Sequence, residues 1–167
     1  MKVVLDTNCF IDAVNKTSRA YEAVQVILKA SRSAKVALFI GLHSLHELEQ
    51  MPDDALTLAK SLPLLPHFPV GTWEEQLGVW NQAAGTWEDA KRNEGIQNDL
   101  KKRAKSGADI RDRGAYIDAL HAHADVFVTS DKDLAGNGPS SRIVEKYELK
   151  IMTPLEFVFK LSSRPEE

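Results

Sequence analysis

The chain has 167 residues, 43% hydrophobic and 27% charged, with a formal net charge of −3. Those values suit one globular domain able to bury a core, and they do not advertise a nucleic-acid binder, although a local excess of charge could hide within the total. A single cysteine, Cys9, excludes an internal disulfide framework, and no apolar run approaches the roughly 20 residues needed to span a bilayer. Asp6 interrupts the apolar start, which therefore does not read as a signal peptide; a cytoplasmic protein without a membrane partner is expected.

Taken in chain order, strand and helix patterns alternate. Val3-Val4-Leu5 reads as a strand buried on both faces, ended by Asp6. Asp6 either caps a following helix or stands at the carboxyl end of a central strand, where open α/β sheets place their active sites. Cys9, just beyond, is expected to be a small core residue rather than a nucleophile. Ser18 can cap a helix that carries Tyr21, Val24, Ile27 and Leu28 at helical spacing. Val36 to Ile40 is a second buried strand, closed by Gly41. Ser44 and Glu47 have the spacing of a capping box, which would place Glu47 in the first turn of the next helix. Asp53 to Leu62 reads as a short helix, and Pro63, Pro66 and Pro69 make Leu62 to Gly71 a loop.

The middle of the chain, about residues 66–108, reads as a helical, charged, insertion-like segment. Thr72 with Glu75 repeats the capping-box pattern, and Trp73, Leu77, Trp80, Ala84 and Trp87 form a stripe suited to a core or helix-pair seam, with base stacking as the rival reading. From Lys91 to Arg113 eight basic residues face four acidic ones. Lys101, Lys102 and Arg103 are the densest part of that excess and could hold a phosphate backbone. Arg111 to Ala124 is an alanine-rich helix pattern, Val126 to Thr129 a buried strand and Leu149 to Met152 a last one. Thr153-Pro154-Leu155-Glu156 has an N-cap, a proline at the first helical position and an acid in the first turn. The alternation predicts a single three-layer α/β/α domain over residues 1–167 with a central, mainly parallel sheet.

Strand carboxyl ends and the helix amino ends that follow them share one edge of such a sheet. Asp6, Glu47, Asp112 and Asp131 are expected to converge there. Capping explains any one of them, but four unpaired like charges repel, and a divalent cation resolves the conflict. Carboxylates with no matched His/Cys cluster favour Mg²⁺ or Mn²⁺ over Zn²⁺. His121 and His123, two apart on a helix, share no face, and neither a glycine-rich phosphate loop nor a nucleophile elbow is present.

LDTNCFID at the start, the Ser-x-x-Glu helix, the helix beginning at Asp112, VTSDKDL and the Thr-Pro-x-Glu-Phe ending together resemble the PIN domain over most of the chain. The resemblance implies a Mg²⁺- or Mn²⁺-dependent nuclease, mostly acting on RNA, in a family that includes toxins of toxin–antitoxin pairs. It implies an acidic quartet of Asp6, Glu47, Asp112 and Asp131, with Asp6, Asp112 and Asp131 as the metal ligands. Thr7, Asn8, Thr129 and Ser130 match the polar residues around that quartet, and Asp133 an accessory acid. Lys132 and Arg142, with the basic run, would contact phosphates. The partners implied are an RNA substrate and an antitoxin protein, with a homodimer left open.

Two rivals stand beside the nuclease. One is a non-catalytic nucleic-acid-binding or scaffold version of the same fold. The other is a phosphoryl-transfer protein of receiver or haloacid-dehalogenase type; the latter expects an Asp where this chain has Asn8. On the long helix Asp112 competes with Asp118 and, more weakly, Asp109. Six residues of helix advance about 9 Å, so Asp118 is expected well below the sheet edge, pointing elsewhere.

Overall fold

A computed structural model describes residues 1–33, 35–51, 53–65, 95, 98, 112–131, 134–135 and 147–163. The tryptophan stripe, the Thr72–Glu75 pattern and the basic run with Lys101, Lys102 and Arg103 lie outside them, as do Asp109, Lys132, Asp133 and Arg142. In chain order the elements are β1 (Lys2–Leu5), α1 (Thr7–Val14), α2 (Tyr21–Arg32), β2 (Ala37–Ile40), α3 (Leu42–Leu48), α4 (Asp53–Lys60), α5 (Asp112–His121), β3 (Val126–Val128), β4 (Lys150–Met152) and α6 (Pro154–Ser162). Among them α1 is the one helix the sequence patterns did not place. Asp6 starts it, and the helix then buries Cys9, Phe10 and Ala13.

The four strands form one parallel sheet in the order β2-β1-β3-β4. The fold is therefore α/β, as the alternation predicts. Successive strand residues point to opposite faces, and each face has its own core. Val3, Leu5, Val126 and Val128 pack with Phe10 of α1, Ile27 of α2, Ala59 of α4 and Phe157 of α6. Val4 and Phe127 pack with Ala115, Tyr116, Ala119 and Leu120 of α5. Tyr116 meets Phe127 edge to face, with ring centroids 5.8 Å apart. Ala115 and Ala119 of α5 are buried on this face beside the larger Tyr116 and Leu120.

The ends of the helices follow from local chemistry. Thr153 caps α6 as expected, and with Glu156 it forms a full capping box. α5 closes in a Schellman arrangement: the N–H of Ala124 donates to Ala119 O and that of His123 to Leu120 O, with His123 left-handed at φ 50°. The Ser44–Glu47 capping box does not form. α3 begins at Leu42 behind Gly41, and Ser44 is inside the helix and fully buried. The motif spacing is met, but Gly41, already extended, starts the helix one turn earlier, so Glu47 falls in the last turn rather than the first. Beyond α4 the chain returns to the sheet. Ile40 N–H donates to Pro63 O and Leu65 N–H donates to Ile40 O, pinning Leu64 beside the end of β2.

Candidate active site

Register decides which residues meet at the carboxyl edge. Leu5 pairs with Ile40 on one side and with Val128 on the other, so Asp6, Gly41 and Thr129 leave three adjacent strands at one level. Asp6 fits both readings of its position, since it ends β1 and caps α1. Its Oδ1 accepts the Thr7 N–H at 2.8 Å, and its Oδ2 accepts the Thr129 hydroxyl at 2.7 Å. The residue is 2% exposed. Thr129, itself fully buried, also accepts the Asp131 N–H at 3.0 Å, so one hydroxyl ties Asp6 to the chain bearing Asp131. The Thr7 hydroxyl donates to Glu47, bringing α3 against the start of α1. Glu47 is thus beside Asp6's neighbour despite lying in the wrong turn for a capping box.

The remaining expected residues divide. Asn8 is partly buried in the first turn of α1, and Asp131 is partly buried two residues after Thr129. The Ser130 hydroxyl does not turn toward Asp6. It donates to Asp12, whose other oxygen accepts the Ser18 hydroxyl. Asp12 was not singled out in the sequence, although it lies one helical turn after Asn8 and so shares its face. Asp112 is the first residue of α5, with its side chain outside the described residues.

Asp118 corrects an expectation. It does not lie below the edge. Its Oδ2 accepts the His43 N–H at 3.1 Å and stands 3.0 Å from His43 Nδ1, at the start of α3. A Cβ added to Gly41 would come within 2.7 Å of that oxygen. Adjacent strands are about 4.8 Å apart, which puts the Asp118 carboxylate within about 9 Å of the Asp6 Cα. The expectation took the helix start as level with the edge. With Asp118 at the edge instead, Asp112 lies about 9 Å farther out along the helix axis.

Cys9 shows the electrostatics of the interior beside the site. Burial pushes its thiol well up, and the charges of Asp6 and Asp12 push it further. It donates to Val128 O at 3.3 Å and is fully buried, as a small core residue should be. Among the described residues no three of His, Cys, Asp and Glu stand together closely enough to hold a metal ion. A cavity of about 770 Å³ opens at the opposite edge of the sheet, beside Met1, His123, Asp125 and Lys150. It shares no residue with the carboxylate site.

Comparison with known proteins finds no protein-family model and no curated protein that matches the chain. Among the described residues no helix is long and apolar enough to cross a membrane.

Proposed function

We propose that the chain is a metal-dependent ribonuclease of the PIN type, hydrolysing phosphodiester bonds in RNA. The observation that carries this reading is Asp6, a carboxylate 2% exposed at the end of the central strand with a donor on each oxygen. Burying a carboxylate is costly. A cap needs one oxygen, and fixing the second through Thr129 gives the group a set orientation that capping does not require. The packing of separate cores on both sheet faces supports the three-layer arrangement; a single domain with an insertion-like segment at about 66–108 is the reading of the sequence.

The donors are all oxygen, a chemistry that fits Mg²⁺ or Mn²⁺. Asp6 and Asp131 would hold the ion, with Asp112 included on the resemblance and Glu47 bound directly or through water. When bound, such an ion neutralises the scissile phosphate and lowers the pKa of a water. Thr7 and Thr129 hold Glu47 and Asp6 through hydrogen bonds before substrate arrives, and Glu47 would take the proton of the attacking water. Asn8, Ser130 and Asp133 shape the surroundings, while Lys101, Lys102, Arg103, Lys132 and Arg142 bind the phosphate backbone without reading sequence. A cytoplasmic toxin paired with an antitoxin is the setting that the resemblance supports.

One observation favours a second reading, a non-catalytic RNA-binding version of the fold. Asp6 is only 2% exposed, so little of its carboxylate is open to an incoming ion. Titrating Mn²⁺ against a labelled single-stranded RNA separates the two. Cleavage that rises with Mn²⁺ and disappears in Asp6→Asn, with the variant still folded, is expected. Retention of intact RNA at every Mn²⁺ concentration favours the binding module.

A further inference from the structure

We infer that His43 is the proton donor to the leaving group in this site and that Asp118 is its positioning partner. The inference rests on the nuclease reading above. His43 is the second residue of α3, and Asp118 Oδ2 takes both its main-chain N–H and its ring Nδ1, at 3.1 and 3.0 Å. A carboxylate only accepts hydrogen bonds, so Nδ1 carries the hydrogen and the exchangeable proton belongs to Nε2. The Asp118 side chain is 9% exposed and that of His43 51%, a buried anchor holding a ring at the surface.

The opposite helix is shaped for this ring. Gly114 lies four residues before Asp118 on α5, and therefore on the same face. A Cβ there would stand 2.2 Å from His43 Cδ2 and 2.4 Å from Cγ. Glycine is unfavourable inside a helix, and here any larger residue displaces the imidazole. On its own helix His43 is four residues before Glu47, the residue that accepts from Thr7 beside Asp6. The two stand one turn apart on α3, the ring held by α5 and the carboxylate by the start of α1.

The chemistry needs a donor at that place. Hydrolysis forms a bond between phosphorus and the water oxygen and breaks the bond to a ribose oxygen, which leaves as an alkoxide unless protonated. The water's proton passes to a carboxylate and then to solvent. The ring acts as the imidazolium, with Nδ1–H held by Asp118: its Nε2 proton passes to the ribose oxygen, and the neutral imidazole that remains regains a proton from solvent, so the cycle is balanced. A positioned acid of this kind contributes about 10²- to 10⁴-fold.

The test uses the full chain with Mn²⁺ and two substrates, single-stranded RNA and bis(p-nitrophenyl) phosphate, whose nitrophenolate leaves without a proton. His43→Ala should lower kcat on RNA by about 10²-fold and leave turnover of the nitrophenyl ester near wild type. Gly114→Ala, which keeps the helix and expels the ring, should reproduce that selectivity, as should Asp118→Asn, with KM for RNA unmoved. Equal losses on both substrates would assign His43 a purely architectural clamp between α3 and α5 and overturn the inference. Unchanged RNA turnover in a folded His43→Ala would overturn it too. Wild-type protein that hydrolyses neither substrate at any Mn²⁺ concentration would instead remove the nuclease reading, and this inference with it.

Discussion

Replacing Thr129 by Val keeps the side-chain shape and removes one hydroxyl that makes two hydrogen bonds in a closed interior. The bond to Asp6 Oδ2, at 2.7 Å, joins a hydroxyl to a carboxylate, and such bonds contribute about 1.5–3 kcal/mol. The bond from the Asp131 N–H, at 3.0 Å, adds about 1 kcal/mol. Thr129 is fully buried and Asp6 2% exposed, so water cannot replace the lost partner. A total near 3 kcal/mol lowers Tm by about 6–12 °C in a chain of this size. Thr129→Ser keeps the hydroxyl and loses one methyl, worth about 1 kcal/mol. Urea and thermal melts of the two variants, repeated in an Asp6→Asn background, measure the coupling directly. Val and Ser variants of equal stability would refute the reasoning, as would a Val cost that is unchanged once Asp6 is Asn.

Cys9 should resist thiol reagents until the chain unfolds. Because burial, then Asp6 and Asp12, raise its folded value, the unfolded thiol ionises first as pH climbs past 9.0; stability present below that pH should fall above it by up to about 1.4 kcal/mol per unit. Burial and then Tyr147 raise Tyr116 in the same sense, so a second proton should join above its ordinary 10.0, and urea melts of wild type and Cys9→Ala at pH 8 and pH 10 check the thiol's share. Changing Lys101, Lys102 and Arg103 together to Gln should weaken RNA binding and flatten the log K against log salt plot by up to about two units. An unchanged slope would mark the run as a solvated face.

The strands were legible because each is a short apolar run closed by a small or polar residue, and the helices between β1, β2 and β3 fit their parallel order. Asp6 was legible as a paired pair of roles, cap and strand end, and it fills both. Where sequence failed, a local signal was met by a different solution. Ser44 and Glu47 have capping-box spacing, but Gly41 opens the helix and Ser44 is buried inside it. α1 hid because TNCFIDAV mixes β-branched and polar residues with weak helix preference, and tertiary burial of Cys9 and Phe10 overrides that preference. Asp118 was misplaced because rise along a helix fixes relative height only, and no sequence feature gives the level at which α5 crosses the edge. His43 and Asp12 each lie one turn from a residue already singled out, Glu47 and Asn8. That spacing was the available signal, and it needed the helix bounds to be read.

The pinning of Leu64 beside β2 has a consequence for how this chain can vary in length. Leu65 shares a core with Ala115 and Tyr116, so the chain leaves the sheet and rejoins it at α5 within one packed cluster. These two anchors share one cluster, so they hold the start of α5 to the end of β2 through their own packing. Trimming or lengthening the stretch between them should therefore leave the strand order and the spacing of Asp6, Thr129 and Asp118 intact, so relatives of very different size could share this one edge.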